Sequence, residues 1–274
     1  MSKRIRIAGL ATLLLAALAL GSGCDSLTAQ SKTPKPPAVG QSDQQEPSGQ
    51  DGQAGEAGQN GQAGESGQTG ANGQAEKPSK PVAGQPGSVT VLVNKKVGLP
   101  SGFQPPNLVD DRELPFLSGE GGEKRLMAKE TAEALKKMFA DAKRDGIYLS
   151  VASAYRSNAT QTQLFNYYVQ TQGEAEARRY SAVPGHSEHE TGLAVDVSGS
   201  DGKCAVEDCF ADLPEAKWIA DHVDQYGFII RYPKGKESIT GYAYEPWHLR
   251  YVGTELAAEL RAKDLTMEEY FQID

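Results

Sequence analysis

Residues 25–88 contain almost no large apolar side chains, and this stretch limits where the chain can fold. Glycine recurs at every third position from Gly49 to Gly73, giving nine consecutive Gly-x-y triplets. Such a segment cannot bury enough apolar surface to offset the entropy of ordering its backbone. We therefore expect a flexible linker over residues 24–88 and one folded domain over residues 89–274. A collagen-like triple helix is the alternative for the triplets, although they contain no proline.

The N-terminus has the pattern of an export signal. Three basic residues within the first six precede an apolar run over residues 7–20, and Cys24 follows three small residues. This pattern predicts a secretory signal peptide over residues 1–23. Because the segment before Cys24 resembles a bacterial lipobox, we expect a lipid anchor on Cys24 and a protein at the extracellular face of the membrane, within the cell wall. Ordinary signal cleavage and an uncleaved anchor are the alternatives.

Composition excludes several classes of protein. A net charge of −8 and a pI near 5.2 argue against a nucleic-acid partner. The chain has three cysteines, too few for a disulfide-dense scaffold. Outside the cytoplasm, Cys204 and Cys209 are expected to form a local disulfide. The protein is expected to be a monomer.

The folded region reads as α+β, because predicted strands and helices follow one another irregularly. Alternating or continuous apolar residues predict strands over residues 89–93, 147–151, 193–197, 228–231 and 247–252. Three-to-four spacing predicts a helix over residues 127–142. Further helices are expected to begin at Ser157 or Asn158, at Pro214, and at Thr254 as a cap.

Two short segments carry the candidate chemistry. Residues 184–196 read PGHSEHETGLAVD, and in the predicted strand Asp196 stands among apolar residues. A carboxylate there needs a partner or a metal ion. Gly192 permits a tight turn that would bring His189 back beside Asp196. The second segment is residues 245–248, which read EPWH. Pro246 opposes a helix there, so a bend could direct both Glu245 and His248 into one site.

Two histidines and one carboxylate, with a position left open, form the ligand set of a catalytic zinc ion. A glutamate that is not a ligand then serves as general base. This spacing alone leaves open a purely structural role for the histidines. Of the other acidic residues, Glu268 and Glu269 are expected to be exposed to solvent.

Six segments together resemble the VanY-type D-alanyl-D-alanine carboxypeptidases. They are VNK at 93–95, LP at 99–100, SAYRS at 153–157, GHSEH at 185–189, GLAVD at 192–196 and EPWHLRYVG at 245–253. The resemblance covers residues 91–274 and implies an LAS/hedgehog-type metallopeptidase fold, in which helices flank a small antiparallel sheet.

The same resemblance implies roles for individual residues. One zinc ion would be bound by His189, Asp196 and His248, with Glu245 as catalytic base. Arg156 would stabilise the substrate carbonyl or the developing oxyanion, although a surface salt bridge is the alternative. Substrate-binding roles are implied for Ser187 and Gln161.

The expected activity is zinc-dependent D,D-carboxypeptidase action, which removes the C-terminal D-alanine from peptidoglycan stem peptides. The first alternative is an L,D-carboxypeptidase that acts on the tetrapeptide. The second is a zinc-bearing module that binds the cell wall without turnover, since this fold can hold zinc without acting as a peptidase.

Overall fold

The computed structural model describes residues 81–119 and 121–273. The predicted signal peptide, Cys24 and the Gly-x-y triplets lie outside the described residues. Within the described ranges, Gly84 already contacts the domain, because its N–H donates to the carbonyl of Thr90 at 3.1 Å. Some residues just before position 89 therefore already contact the predicted domain. No helix in these ranges is long and apolar enough to cross a membrane.

Helices and two antiparallel sheets make up the described fold, which confirms the α+β expectation. The helices are α1 (Lys129–Arg144), α2 (Asn158–Gln172), α3 (Glu174–Tyr180), α4 (Pro214–His222), α5 (Glu237–Thr240), α6 (Thr254–Lys263) and α7 (Met267–Phe271). The strands are β1 (Leu108–Val109), β2 (Met127–Ala128), β3 (Leu149–Ser153), β4 (Ala194–Gly199), β5 (Phe228–Ile230) and β6 (His248–Tyr251). The larger sheet has the order β3-β4-β6-β5, and β1 pairs with β2.

The main core lies on one face of the larger sheet. Val195 and Val197 of β4 point into it and pack among side chains from α1 and α4. Because side chains alternate along a strand, Asp196 is placed on the opposite face. The core also takes in Trp247, the residue before β6. The sheet therefore separates an apolar layer from a polar face that includes Asp196.

Two helix predictions are confirmed with small shifts at their ends. The apolar stripe of α1 is buried as expected, at Leu135, Met138, Phe139 and Ala142. The helix begins at Lys129 because Met127 and Ala128 pair with β1 instead. At the start of α2, the Ser157 side chain accepts a hydrogen bond from the N–H of Thr160, so Ser157 is the cap.

Two other predictions are wrong. Residues 89–93 do not form a strand, and only Val91 makes an isolated bridge, to Gly84. Val89 and Thr90 lie in a turn, and the carbonyls of Val89 and Val91 accept hydrogen bonds from the Arg250 side chain instead of from a neighbouring strand. The cap of α6 is also not Thr254, which is its first helical residue. Gly253 is the cap, because its φ of 83° turns the chain out of β6.

Candidate metal centre

Asp196 and His248 face each other across two neighbouring strands. Asp196 lies on β4, His248 is the first residue of β6, and the two are direct partners in the antiparallel register. The Nδ1 atom of His248 is 3.3 Å from Oδ1 of Asp196. Both side chains are buried. Strand pairing therefore joins the two motifs that the sequence keeps far apart.

His189 reaches the same place from a short 3₁₀ turn, Glu188–Thr191, that precedes β4. Gly192 ends this turn in the left-handed conformation, with a φ of 71°. A Cβ atom at Gly192 would lie 2.8 Å from Cδ2 of Leu108 and 3.2 Å from the backbone nitrogen of Ala128, so packing also favours glycine. As the sequence predicts, the turn brings His189 beside Asp196, with Nε2 3.4 Å from Oδ2.

The three side chains form a compact set of metal-binding atoms. One donor atom from each of His189, Asp196 and His248 lies within 4.8 Å of the others. Oδ1 of Asp196 is buried and accepts no hydrogen bond from the described residues. A buried carboxylate oxygen in that state is costly unless a cation binds it. These residues therefore fit a metal ion with two nitrogen ligands and one oxygen ligand.

The charges of these groups depend on one another. Burial favours a neutral Asp196, but His189 and His248 hold the pKa of its carboxyl well below the usual value. Burial lowers the pKa of His189. Burial also opposes protonation of His248, yet the neighbouring carboxylates of Asp196 and Glu188 raise its pKa to about 9. A metal ion that binds here must therefore displace a proton from His248.

The end of β3 orients two of these side chains. A β-bulge between Val151 and Ser153 places Ser153 opposite Asp196, and Ser153 Oγ donates a hydrogen bond of 2.5 Å to Oδ2. The carbonyl oxygen of Ala154 is 2.6 Å from Nδ1 of His189. When that nitrogen carries the proton, Nε2 keeps a free lone pair. The sequence assigned no role to Ser153, because its contact depends on the bulge.

Glu245 lies beside these residues, at the turn that leads into β6. Its side chain is 21% exposed, and Oε2 is 3.8 Å from Nδ1 of His248. The turn is closed by a hydrogen bond from the N–H of His248 to the Glu245 carbonyl at 3.2 Å. Burial, together with the carboxylate of Asp196, raises the pKa of Glu245 to about 7 against the effect of His248. A carboxyl group with this pKa can both accept and release a proton near neutral pH.

Arg156 is attached to the same site through its backbone, since its N–H donates to the carbonyl of His189 at 3.3 Å. Its guanidinium donates to Oε1 of Gln161 at 3.0 Å. Gln161 is fully buried, and its Nε2 donates to Ser181 and Ala182. The amide of Gln161 therefore holds Arg156 in place, and a contact between Gln161 and substrate stays a prediction.

Ser187 is buried at the start of the 3₁₀ turn that carries His189. Its N–H donates to Oε1 of Glu190 at 3.4 Å, which ties the turn together. A contact between Ser187 and substrate stays a prediction.

Glu188, the next residue, received no role from the sequence, but its Oε2 is 3.4 Å from Nε2 of His248.

Two expectations away from the site have clear outcomes. Cys204 and Cys209 are joined by a disulfide, as predicted. Glu268 was expected to be exposed, and this is wrong: it is 3% exposed and binds the guanidinium of Arg231. Its burial depends on α7 folding back over the domain, and no local pattern in the sequence signals that.

Similarity to known proteins agrees with this geometry. The family model VanY, described as D-alanyl-D-alanine carboxypeptidase, matches residues 124–254. The protein YodJ of Bacillus subtilis (strain 168), provisionally named a carboxypeptidase, is 45% identical over 187 residues, which cover 68% of this chain and 68% of YodJ. The chain belongs to the VanY family. As a VanY-family protein it is a carboxypeptidase, and the matched range contains Arg156 and Glu245 together with the three metal-binding candidates.

Two solved structures extend the VanY-family similarity. The structure of the LdcB LD-carboxypeptidase, described with its peptidoglycan recognition, has 45% identity and a TM-score of 0.66, and the match covers 68% of this chain and 87% of that one. A mutant of the vancomycin resistance D,D-pentapeptidase VanY, solved in complex with Zn(II), has 35% identity and a TM-score of 0.53, covering 67% and 98%. These matches confirm the expected fold class.

Proposed function

We propose that this chain is a zinc-dependent carboxypeptidase that removes a terminal D-alanine from peptidoglycan stem peptides. The observation that carries the proposal is the buried set of His189, Asp196 and His248, in which Oδ1 of Asp196 accepts no hydrogen bond from the part of the chain that the structure describes. Further support is the Zn(II) complex of the VanY pentapeptidase. We propose one ion per chain, with these three residues as its ligands.

Each remaining residue has a separate part in the reaction. When bound, the zinc ion would act as a Lewis acid that polarises the scissile carbonyl. Glu245 accepts a proton from the attacking water and passes it to the leaving amine as the C–N bond breaks. Arg156 donates hydrogen bonds to the carbonyl oxygen, where negative charge develops. Gln161 holds the guanidinium of Arg156 in the orientation that this requires.

Two bonds are candidates for cleavage. The family description and the VanY pentapeptidase favour D,D-cleavage of a pentapeptide. The higher identity and TM-score of the LdcB match favour L,D-cleavage of a tetrapeptide. Both reactions release D-alanine and use the same metal site, so the difference lies in how the peptide is held.

The experiment is to measure D-alanine released by the full chain from muramyl pentapeptide and muramyl tetrapeptide, with and without a chelator. Release from the pentapeptide that is lost with the chelator and restored by zinc supports the D,D-carboxypeptidase. Release only from the tetrapeptide assigns L,D-cleavage. If zinc binds and neither peptide is cleaved, the activity proposal fails and the wall-binding module replaces it.

We also propose export and lipid anchoring through Cys24, which would hold the domain at the outer face of the membrane within the cell wall. Support comes from the basic start, the apolar run over residues 7–20 and the small residues before Cys24. Metabolic labelling with a radioactive fatty acid tests this anchor. Label on the wild type that disappears in Cys24→Ala supports it, and an unlabelled wild type contradicts it.

A further inference from the structure

Glu188 lies behind His248, on the side of the ring away from Asp196. Its Oε2 is 3.4 Å from Nε2 of His248, while Nδ1 of the same ring is 3.3 Å from Asp196. The Glu188 side chain has no exposed surface. The His248 ring is therefore held between two buried carboxylates, one at each nitrogen.

Two arginines fix the other oxygen of Glu188. Its Oε1 accepts a hydrogen bond of 2.7 Å from Nε of Arg231 and another of 2.7 Å from a terminal nitrogen of Arg250. Both guanidinium groups are fully buried. Because these bonds occupy Oε1, Oε2 is left directed at His248.

The arginine pair, Arg231 and Arg250, is itself held in place. Arg250 donates to the carbonyls of Val89 and Val91, and Arg231 binds both carboxylate oxygens of Glu268. The network of Glu188, Glu268 and the arginine pair balances two negative and two positive charges away from water. Burying these four charges costs desolvation energy. The network is therefore, by itself, weak evidence that these ion pairs stabilise the fold. Its contact with His248 gives it a second role.

We infer that Glu188 is a positioning residue for metal binding, an inference that rests on the metal site proposed above. Its carboxylate accepts the Nε2 proton of His248, which leaves the Nδ1 lone pair directed at the ion. The carbonyl of Ala154 has the same role for His189. It lies close to Nδ1, so Nδ1 of His189 carries the proton and Nε2 keeps its lone pair. Partners of this kind fix the tautomer and the ring orientation of metal-binding histidines.

The test compares Glu188→Gln with Glu268→Gln in the full chain. Both substitutions remove one buried carboxylate that binds Arg231, but of the two glutamates only Glu188 touches His248. Zinc affinity is measured by competition with a chromophoric chelator, and circular dichroism confirms that each variant folds. We expect Glu188→Gln to lose about 10- to 100-fold in zinc affinity and Glu268→Gln to stay close to wild type. Equal affinities, or equal losses, for the two folded variants would overturn the positioning role.

A second measurement needs no variant and covers the case in which Glu188→Gln does not fold. Long-range proton–nitrogen NMR of the zinc-loaded chain, labelled with ¹⁵N-histidine, reports which nitrogen of each of the four histidines carries a proton. We expect the proton of His248 on Nε2 and that of His189 on Nδ1. A His248 proton on Nδ1 contradicts the inference. Failure of the wild type to bind zinc would instead contradict the proposed function.

Discussion

The imidazole rings of His189 and His248 lie perpendicular to each other, with their centroids 4.9 Å apart and an angle of 88° between the ring planes. Each ring is anchored by a different nitrogen: Nδ1 of His189 faces a carbonyl oxygen, and Nε2 of His248 faces a carboxylate. The free nitrogens of both rings then point toward Asp196. This arrangement requires two anchors from separate parts of the chain, the Ala154 carbonyl just after β3 and the Glu188 carboxylate in the 3₁₀ turn.

Asp196→Asn should abolish tight zinc binding and peptidase activity. The amide keeps the size of the side chain but removes the negative charge that holds the ion between two histidines. Ser198→Ala, two residues along β4, is the control, because the Ser198 hydroxyl donates to the carbonyl of Gly199 instead. Metal content is measured after dialysis by mass spectrometry. An Asp196→Asn protein that keeps one zinc ion per chain would exclude Asp196 as a ligand.

Glu245→Gln should lower kcat by about 10²- to 10⁴-fold, the range for loss of a positioned general base. Zinc affinity should change little, because Glu245 is not among the three ligands. Zinc content is measured on the same preparation as activity, which is assayed with whichever muramyl peptide the wild type cleaves. Full activity in this variant would remove Glu245 from the mechanism.

Arg156→Ala should lower kcat by about 10²- to 10³-fold, the effect of removing one donor to a developing oxyanion. Arg144→Ala is the matched control, because Arg144 is exposed on α1 and pairs only with Asp141 among the described residues. Steady-state kinetics of both variants give kcat and KM. If Arg156→Ala behaves like Arg144→Ala, Arg156 has only a surface role.

Zinc affinity should increase with pH. His248 has a raised pKa of about 9 in the metal-free protein, so binding displaces one proton below that pH. The apparent association constant should then rise about tenfold per pH unit from pH 6.5 and level off near pH 9. Chelator competition across this range measures the slope, and a flat profile would contradict the displacement.

The raised pKa of His248 also affects the stability of the metal-free protein. This contribution is fully present below the unfolded pKa of 6.5 and is lost as the pH rises through about 9. Denaturant unfolding of the chelated protein at several pH values follows this loss. His248→Gln, which does not titrate, should show a weaker dependence across the same range.

Gly192→Ala should destabilise the domain more than Gly146→Ala. Both glycines have positive φ, 71° and 80°, so both substitutions carry a left-handed penalty of about 1–2 kcal/mol. Only at Gly192 does the new Cβ also meet Leu108 at 2.8 Å, while at Gly146 no atom lies within 4 Å. Thermal unfolding measures both, and zinc affinity should fall only in Gly192→Ala. Equal melting temperatures would contradict the steric argument.

Local patterns in the sequence were enough to predict several helices and strands and part of the candidate metal site. The scarcity of large apolar residues over 25–88 predicted where a folded domain could lie, and three-to-four spacing predicted α1. Alternation along β4 predicted the face that carries Asp196, and Gly192 predicted the turn that returns His189 to it. These features depend on neighbouring residues, so they can be read without the fold.

Only the tertiary structure decided how the distant residues meet. The register of β4 and β6 pairs Asp196 with His248, and a bulge in β3 adds Ser153. The same packing desolvates Glu188 and Glu268 against the arginine pair, although a glutamate in a sequence is more often exposed. Strand pairing and burial are set by elements far apart in the chain, and for that reason no local pattern could assign Glu188 or Glu268 its partner.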